Sequence, residues 1–390
     1  MPSIRRSYIG LLGSKLALLV CTAIASSASF GGETATAKAI RGLMPQVDQF
    51  IQAEIQRQKV PGLALGIISG DDVVAAKGYG YANVELSVPV SAETIFQSGS
   101  IGKAFTGMAT MLEVEDGKIA LDDPISKYFP GAPDSWASIT VRNLLNHTSG
   151  IADYAEPDAT AQLDGKPPFD YRRDYSEEEL AKIAYRLPLD FPPGSQWHYS
   201  DTGYMVLGIL LDRASGRFYG DVLTDRVFKP LGMKTARLIS EADIVNNRAA
   251  GYRLVDGQLK NQEWVSPTLN STADGALYLS VRDFIAWGRG LRAQAILKPA
   301  SWAEVYTPAH LQNGRQYPYG FGWYLGSAHG KPWYQHCGSW QGFRACISRY
   351  LADDLTIIVL ENLAEANPAR VIDGVANLVD PELPKLEHEK

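Results

Sequence analysis

Apolar residues at Val47, Phe50, Ile51 and Ile55 recur at helical spacing, and the pattern stops at Val60-Pro61-Gly62. Two apolar runs follow, over 63–69 and 72–79, on either side of Gly70-Asp71, a pair suited to a tight hairpin turn. Ile101, Phe105, Met108 and Leu112 then mark a second helix that Gly117 stops. From residue 98 to about 211 the pattern is mainly helical and is broken by Asp123-Pro124, Phe129-Pro130-Gly131 and Pro192-Pro193-Gly194. Strand character returns over 319–325, 333–336, 342–350 and 355–361, and a last helix is expected over 369–378.

Strands near both ends with helices between them predict an α+β fold: one antiparallel sheet assembled from both termini, flanked by helices. A mainly helical region, over about 98–285, is inserted between the sheet segments. Clefts form where such parts meet, and Ser100 would open the first helix at that junction.

The N-terminus reads differently. Arg5 and Arg6 precede an apolar stretch that ends among small residues near Ala28, so residues 1–28 are expected to be an export signal. Arg5-Arg6-Ser7-Tyr8-Ile9 resembles the start of a twin-arginine signal, and a retained anchor is the alternative. Residues 29–42 are Ala- and Thr-rich and are expected to be a linker, leaving 43–390 as the folded domain. No later segment is long and apolar enough to span a bilayer, so the body is expected outside the cytoplasm, periplasmic or secreted. With 45% hydrophobic and 21% charged residues, and a net charge of −6 spread along the chain, nothing favours a nucleic-acid partner. Of the three cysteines, Cys21 falls in the signal. Cys337 and Cys346 read either as small buried hydrophobes or as a bridge across a hairpin in an oxidising compartment.

The candidate chemistry centres on Ser100-Ile101-Gly102-Lys103, which stacks a hydroxyl and an amine on one helical face. Ser98 is the expected N-cap, which places Ser100 in the first turn, where a backbone N–H is free to hold an oxyanion. The positive helix end would also favour a neutral, basic Lys103. Ser-x-x-Lys recurs by chance about once in a chain of this length, so its context decides.

Tyr199-Ser200-Asp201 leads into the apolar helix that starts near Met205; Tyr199 either relays protons or is a core tyrosine bonded to backbone. His336-Cys337-Gly338-Ser339 ends a late strand, where glycine admits a close approach and the Ser339 N–H offers a second oxyanion donor. The alternative for His336 is a structural role. His147, in Asn146-His147-Thr148-Ser149-Gly150, reads as a local hydrogen-bonding residue of a loop. No His, Asp and Glu cluster suggests a metal, and no cofactor is expected. A Gly-x-Ser-x-Gly elbow is not formed, because Ser98 stands where its first glycine belongs.

With these segments together, the chain resembles the serine β-lactamase and penicillin-binding protein superfamily, and within it class C β-lactamases, D-Ala-D-Ala carboxypeptidases, D-aminopeptidases and family VIII carboxylesterases. Ser100 and Lys103 match the first motif, Tyr199 and Asp201 the Tyr-x-Asn motif, and His336 and Gly338 the Lys/His-x-Gly motif. His147-Thr148-Ser149-Gly150, Pro230-Leu231-Gly232-Met233 and Tyr319-Gly320-Phe321-Gly322-Trp323 support the match.

The resemblance implies a β-lactamase/transpeptidase-like fold and an exported, metal-free serine hydrolase acting through an acyl-enzyme on Ser100. Lys103 and Tyr199 would move its proton, and the N–H groups of Ser100 and Ser339 would hold the oxyanion. The implied substrates are small esters, amides or peptides, of carboxylesterase or D-amino acid peptidase type. The alternatives are a β-lactamase, a D-Ala-D-Ala carboxypeptidase, or a non-catalytic cell-wall sensor. Two departures bear on substrate: Asp201 stands where the family usually has asparagine, and His336 where the β-lactamases have lysine. Both favour neutral or amine-bearing substrates over anionic ones.

Overall fold

The computed structural model describes residues 33–156, 168–238, 242–275 and 277–386. The expected export signal lies outside these residues. Among the described residues, no helix is long and apolar enough to cross a membrane.

The frame is an antiparallel seven-stranded sheet, built from β1 (Gly62–Ser69), β2 (Asp72–Asn83), β3 (Val88–Pro89), β11 (Tyr324–Ala328), β12 (Lys331–Trp340), β13 (Phe343–Tyr350) and β14 (Leu355–Glu361). Its order is β11-β12-β13-β14-β1-β2-β3, so the first and last strands of the sequence meet at its centre. β1 and β14 are buried along their whole length because both faces of the sheet are covered. The side-chain period of two sorts their residues. Leu63, Leu65, Ile67, Ile357 and Val359 join one apolar core, and Ala64, Ile68, Ile358 and Leu360 join another.

The first core is closed by helices from the two ends of the chain: α1 (Ala35–Gly42), α2 (Met44–Gln58) and, at the C-terminus, α10 (Pro368–Val379). The presence of α1 corrects the linker expectation for 29–42. Thr34 accepts the Ala37 N–H at 3.2 Å as a side-chain cap, and Ala37 and Ile40 are buried against the sheet. The Ala-rich composition that suggested a linker is also what a short helix prefers.

The second face carries the inserted region: α3 (Gly102–Glu115), α4 (Val141–Leu145), α5 (Glu177–Arg186), α6 (Asp201–Ser215), α7 (Tyr219–Leu223), α8 (Val281–Arg292) and α9 (Pro299–Val305). It is less purely helical than the sequence pattern implies. β4 (Ile95–Gln97) and β8 (Leu277–Ser280), with β5 (Arg237–Leu238), form a three-stranded sheet, β6 (Tyr252–Val255) pairs with β7 (Gln258–Asn261), and β9 (Ala309–His310) pairs with β10 (Gln316–Tyr317). The pairing of β4 with β8 joins the entry and exit of the insertion, and the Ser98 N–H continues it by donating to the Leu277 carbonyl at 2.8 Å. Residues 98–103 and 273–275 therefore lie side by side.

One expected strand is displaced. Residues 319–323 are irregular and the strand runs instead over Tyr324–Ala328. Gly322 sits at φ 79°, and a Cβ there would fall 2.5 Å from the Ala104 backbone, so this segment is pressed onto α3 instead of extending along the sheet. Cys337 and Cys346 are directly paired across β12 and β13 and form a disulfide.

Candidate active site

Ser98 does not cap α3. Its backbone is itself helical, at φ −81° and ψ −19°, and its hydroxyl donates to the Gly99 carbonyl at 3.1 Å. The chain enters the helix through a single 3₁₀ turn, Gly99–Ile101, with Ser100 in its middle and partly exposed. Gly99 adopts φ 51°, and a Cβ there would stand 2.4 Å from the Ser339 nitrogen. A Cβ on Gly338 would stand 2.0 Å from the Ser98 oxygen and 2.7 Å from the Ser100 nitrogen. Only two glycines permit these backbones to touch. Their contact brings the Ser100 and Ser339 peptides to one rim.

Lys103 lies one turn on, and its side chain is 0% exposed. Its ammonium nitrogen donates to Ser100 Oγ at 3.1 Å, Asp201 Oδ1 at 2.5 Å and the Asp274 carbonyl oxygen at 2.6 Å. The Asp201 carboxylate and the Asp274 carbonyl can only accept, whereas the Ser100 hydroxyl can accept from the lysine nitrogen or donate to it. The Asp201 carboxylate stands as a counterion beside the lysine at the helix end. The Tyr199 ring lies 4.8 Å from the same nitrogen, centroid to atom.

The Tyr199–Asp201 segment is held from below. His147 Nδ1 accepts the Ser200 N–H at 3.1 Å, and its ring lies 4.4 Å from that of Tyr199. Burial and then the charge of Lys103 hold His147 well below the usual histidine range, so it is a neutral acceptor. Ser200 caps α6 by accepting the Gly203 N–H at 3.0 Å. Asp153 Oδ2 accepts the N–H of Asp201 at 3.1 Å.

Two acids that the sequence reading did not single out complete the cluster. Asp153 is pushed up from 3.8 to about 7 by burial and then by the Asp201 carboxylate. Asp274 is raised for the same two reasons, is bonded to the Tyr154 hydroxyl, and leaves Oδ1 buried without a partner. The available signal was an acid within an apolar run, Ile151-Ala152-Asp153-Tyr154, and an acid between Ala273 and Gly275. Among the described residues, no group of three His, Cys, Asp or Glu side chains has a metal-holding arrangement.

His336 is near the cluster but does not face it with a free nitrogen. Its Nδ1 lies 2.6 Å from the Cys337 carbonyl oxygen, which can only accept, so Nδ1 carries the proton; Nε2 accepts from the Tyr319 hydroxyl at 3.1 Å. Burial, with the Lys103 charge, lowers its pKa to about 3. The ring is neutral and both nitrogens are engaged within the protein. Gly338 and Ser339 beyond it do reach the serine.

The sequence model of the family described as Beta-lactamase matches residues 47–379. The chain belongs to the β-lactamase family. Penicillin-binding protein 4* of Bacillus subtilis (strain 168) is 27% identical over 310 residues, covering 76% of this chain and 67% of that protein. A D-aminopeptidase of Gluconobacter oxydans (strain 621H) is 28% identical over 305 residues, which is 77% of this chain and 56% of the relative. The chain thus spans little more than half the length of that relative. Among solved structures, an octameric penicillin-binding protein homologue from Pyrococcus abyssi is 29% identical with a TM-score of 0.75, covering 87% of this chain and 79% of that one. The antiparallel sheet with its inserted region is therefore the family's fold. Within that fold, the Asp201 carboxylate and the Asp274 backbone carbonyl both contact the motif lysine.

Proposed function

We propose that this protein is an exported serine hydrolase that cleaves ester or amide bonds through an acyl-enzyme on Ser100. The observation that carries the reading is the contact of Lys103 Nζ with Ser100 Oγ at 3.1 Å, in a site where the lysine is wholly buried. A serine hydroxyl needs a neighbouring group to move its proton, and this pair meets the geometric condition. Ser100 attacks the acyl carbon, and the N–H groups of Ser100 and Ser339 hold the oxyanion at the rim that Gly99 and Gly338 allow. Tyr199 passes the proton towards the leaving group, and water then releases the acyl group.

The substrate class is neutral or amine-bearing: a small ester, a D-amino acid amide or a short peptide. Asp201 is acidic and His336 is a neutral ring with both nitrogens engaged, so neither offers a charge to a substrate carboxylate. The relative named D-aminopeptidase supports this class. A penicillin or a carboxylate-ended peptide would meet the acid without a compensating cation. Export rests on the Arg5-Arg6 signal pattern, and the Cys337–Cys346 bridge is a bond that persists in oxidising compartments.

Intact-mass labelling with a fluorophosphonate tests the nucleophile. The expected result is one adduct on the wild type and none on Ser100→Ala; an equal adduct on the variant overturns the mechanism. A panel of an aryl ester, D-amino acid amides, a D-Ala-D-Ala peptide and a cephalosporin tests the substrate class. Faster turnover of the cephalosporin than of the ester and amides overturns it. Tyr199→Phe is expected to label at Ser100 while losing about 10²-fold in turnover.

A further inference from the structure

We infer that Asp201 is the acceptor of the proton that Lys103 must surrender before it can activate Ser100, so that the resting enzyme runs a Ser100–Lys103–Asp201 relay; this rests on the acyl-enzyme reading above. The argument begins with the direction of the hydrogen bonds. In its ion-paired form beside Asp201, Lys103 directs three N–H donors to the Ser100 hydroxyl, the Asp201 carboxylate and the Asp274 carbonyl. An ammonium in that state has no lone pair for the serine proton. One of its own protons must leave first, and it can leave only towards a partner. The Ser100 hydroxyl is the group to be deprotonated, and the Asp274 carbonyl oxygen is not basic at neutral pH. The Asp201 carboxylate, at 2.5 Å, is the remaining partner and the only basic one.

The other titratable groups around this lysine are less suited. Asp153 bonds the Asp201 N–H, not the lysine, and burial with the Asp201 charge raises it. The Asp274 carboxyl is turned to the Tyr154 hydroxyl and is also raised. His336 is neutral, and Tyr199 presents its ring to the lysine. Asp201 is also the cluster's opening to the cleft, since its side chain is 24% exposed while that of Lys103 is 0% exposed.

The step balances as follows. A Lys103 N–H proton passes to Asp201 Oδ1, the Ser100 O–H proton passes to Lys103 Nζ, and the Ser100 Oγ–acyl bond forms as the carbonyl π pair moves onto the oxyanion. On collapse the acyl–leaving group bond breaks. The departing oxygen or nitrogen takes a proton that Tyr199 passes on from Lys103, and Asp201 returns its proton to the lysine. Asparagine at 201 cannot accept that proton, so an amide there obliges the lysine to lose its proton to solvent before the substrate reacts. Asp201 touches the reaction through Lys103, and its role is therefore visible in pH dependence more than in binding.

The test compares wild type and Asp201→Asn on a neutral aryl ester, which has no ammonium for Asp201 to bind. The fluorophosphonate labelling rate of each is followed in parallel, and circular dichroism checks folding. The expected result is a loss of about 10²-fold in kcat/KM at pH 7. The acid limb of the pH–rate profile moves to higher pH, and Ser100 remains the labelled residue, at a reduced rate. A variant with wild-type kcat/KM and an unmoved acid limb overturns the relay while leaving the acyl-enzyme standing. So does a defect confined to amine-bearing substrates, which would make Asp201 a binding group only. Absence of any Ser100 adduct on the wild type overturns both.

Discussion

Glu54 and Glu361 are buried together on the face of the sheet covered by the terminal helices, whereas Asp153 and Asp274 are buried, and Asp201 half-buried, around Lys103 on the face covered by the insertion. The first group is served from outside. Burial would raise Glu54, but hydrogen bonds from Arg57, Gln58 and Arg370 outweigh it and hold the acid below its usual value. The two arginine side chains are 48% and 53% exposed, so their charges sit at the surface and reach in. Glu361 receives less help: burial and the Glu54 charge push it up to about 8. The second group is served from inside, by one wholly buried lysine that also touches a hydroxyl at the cleft. A buried acid is thus not by itself a mark of chemistry. What separates the two clusters is that the counterion of one also contacts the Ser100 hydroxyl.

Removing that counterion tests the comparison most severely. Lys103→Met is expected to lose about 10³-fold in aryl ester hydrolysis. It should also lose about 3 kcal/mol of stability in chemical denaturation, because the Asp201 carboxylate and the buried Asp274 carbonyl lose their donor and the carboxylate its counterion. Near-normal stability in this variant would show that the cluster does not depend on the lysine. Next in size is His147→Phe, which keeps the ring under Tyr199 but deletes the acceptor of the Ser200 N–H. About a tenfold fall in kcat with little change in KM is expected, from misplacement of the Tyr199–Asp201 segment.

The smaller effects lie in pH dependence. The folded pKa of Asp153 is raised from 3.8 to about 7, so the native state keeps a proton that the unfolded chain has lost between those values. Stability contributed by this group is present below about pH 4 and declines as pH rises through about 7. Asp153→Asn is expected to flatten that decline in a series of thermal melts, since the amide oxygen still accepts the Asp201 N–H. Glu361→Gln is the mildest change. Its window runs from 4.5 to about 8, so Tm should rise by on the order of 2 °C at pH 9 and stay unchanged at pH 4. Ester hydrolysis should be unaltered in this variant at every pH. An altered acid limb would show that the two clusters are coupled through β14.

Most of the sheet was legible in the sequence. The hairpin at Gly70-Asp71, the strand Leu355–Glu361 and the last helix follow from local periodicity and turn chemistry, which short segments carry without help. The displaced strand at Tyr324–Ala328 was not, because Gly322 is bent by the approach of α3, more than 200 positions earlier in the chain. The motif residues Ser100, Lys103 and Asp201 were likewise visible as types at suitable spacing. Their partners were less so: Asp153 and Asp274 are marked only by small or apolar neighbours, and the role of His147 depends on a backbone N–H 53 positions away.

The order of elements, the Ser100 hydroxyl one helical turn from Lys103, and the glycines at 99 and 338 are properties of the sequence by itself, because helical spacing and the absence of a side chain are written in neighbouring residues. The tertiary structure decided the charge state of the site. The pairing of β4 with β8 carries the Asp274 carbonyl to Lys103, and the cap of α6 carries Asp201 there. Burial then makes each carboxylate answer to the others. Coulomb interactions at 2.5–3 Å in a dry interior depend on where distant segments meet, and spacing along a chain does not contain that distance.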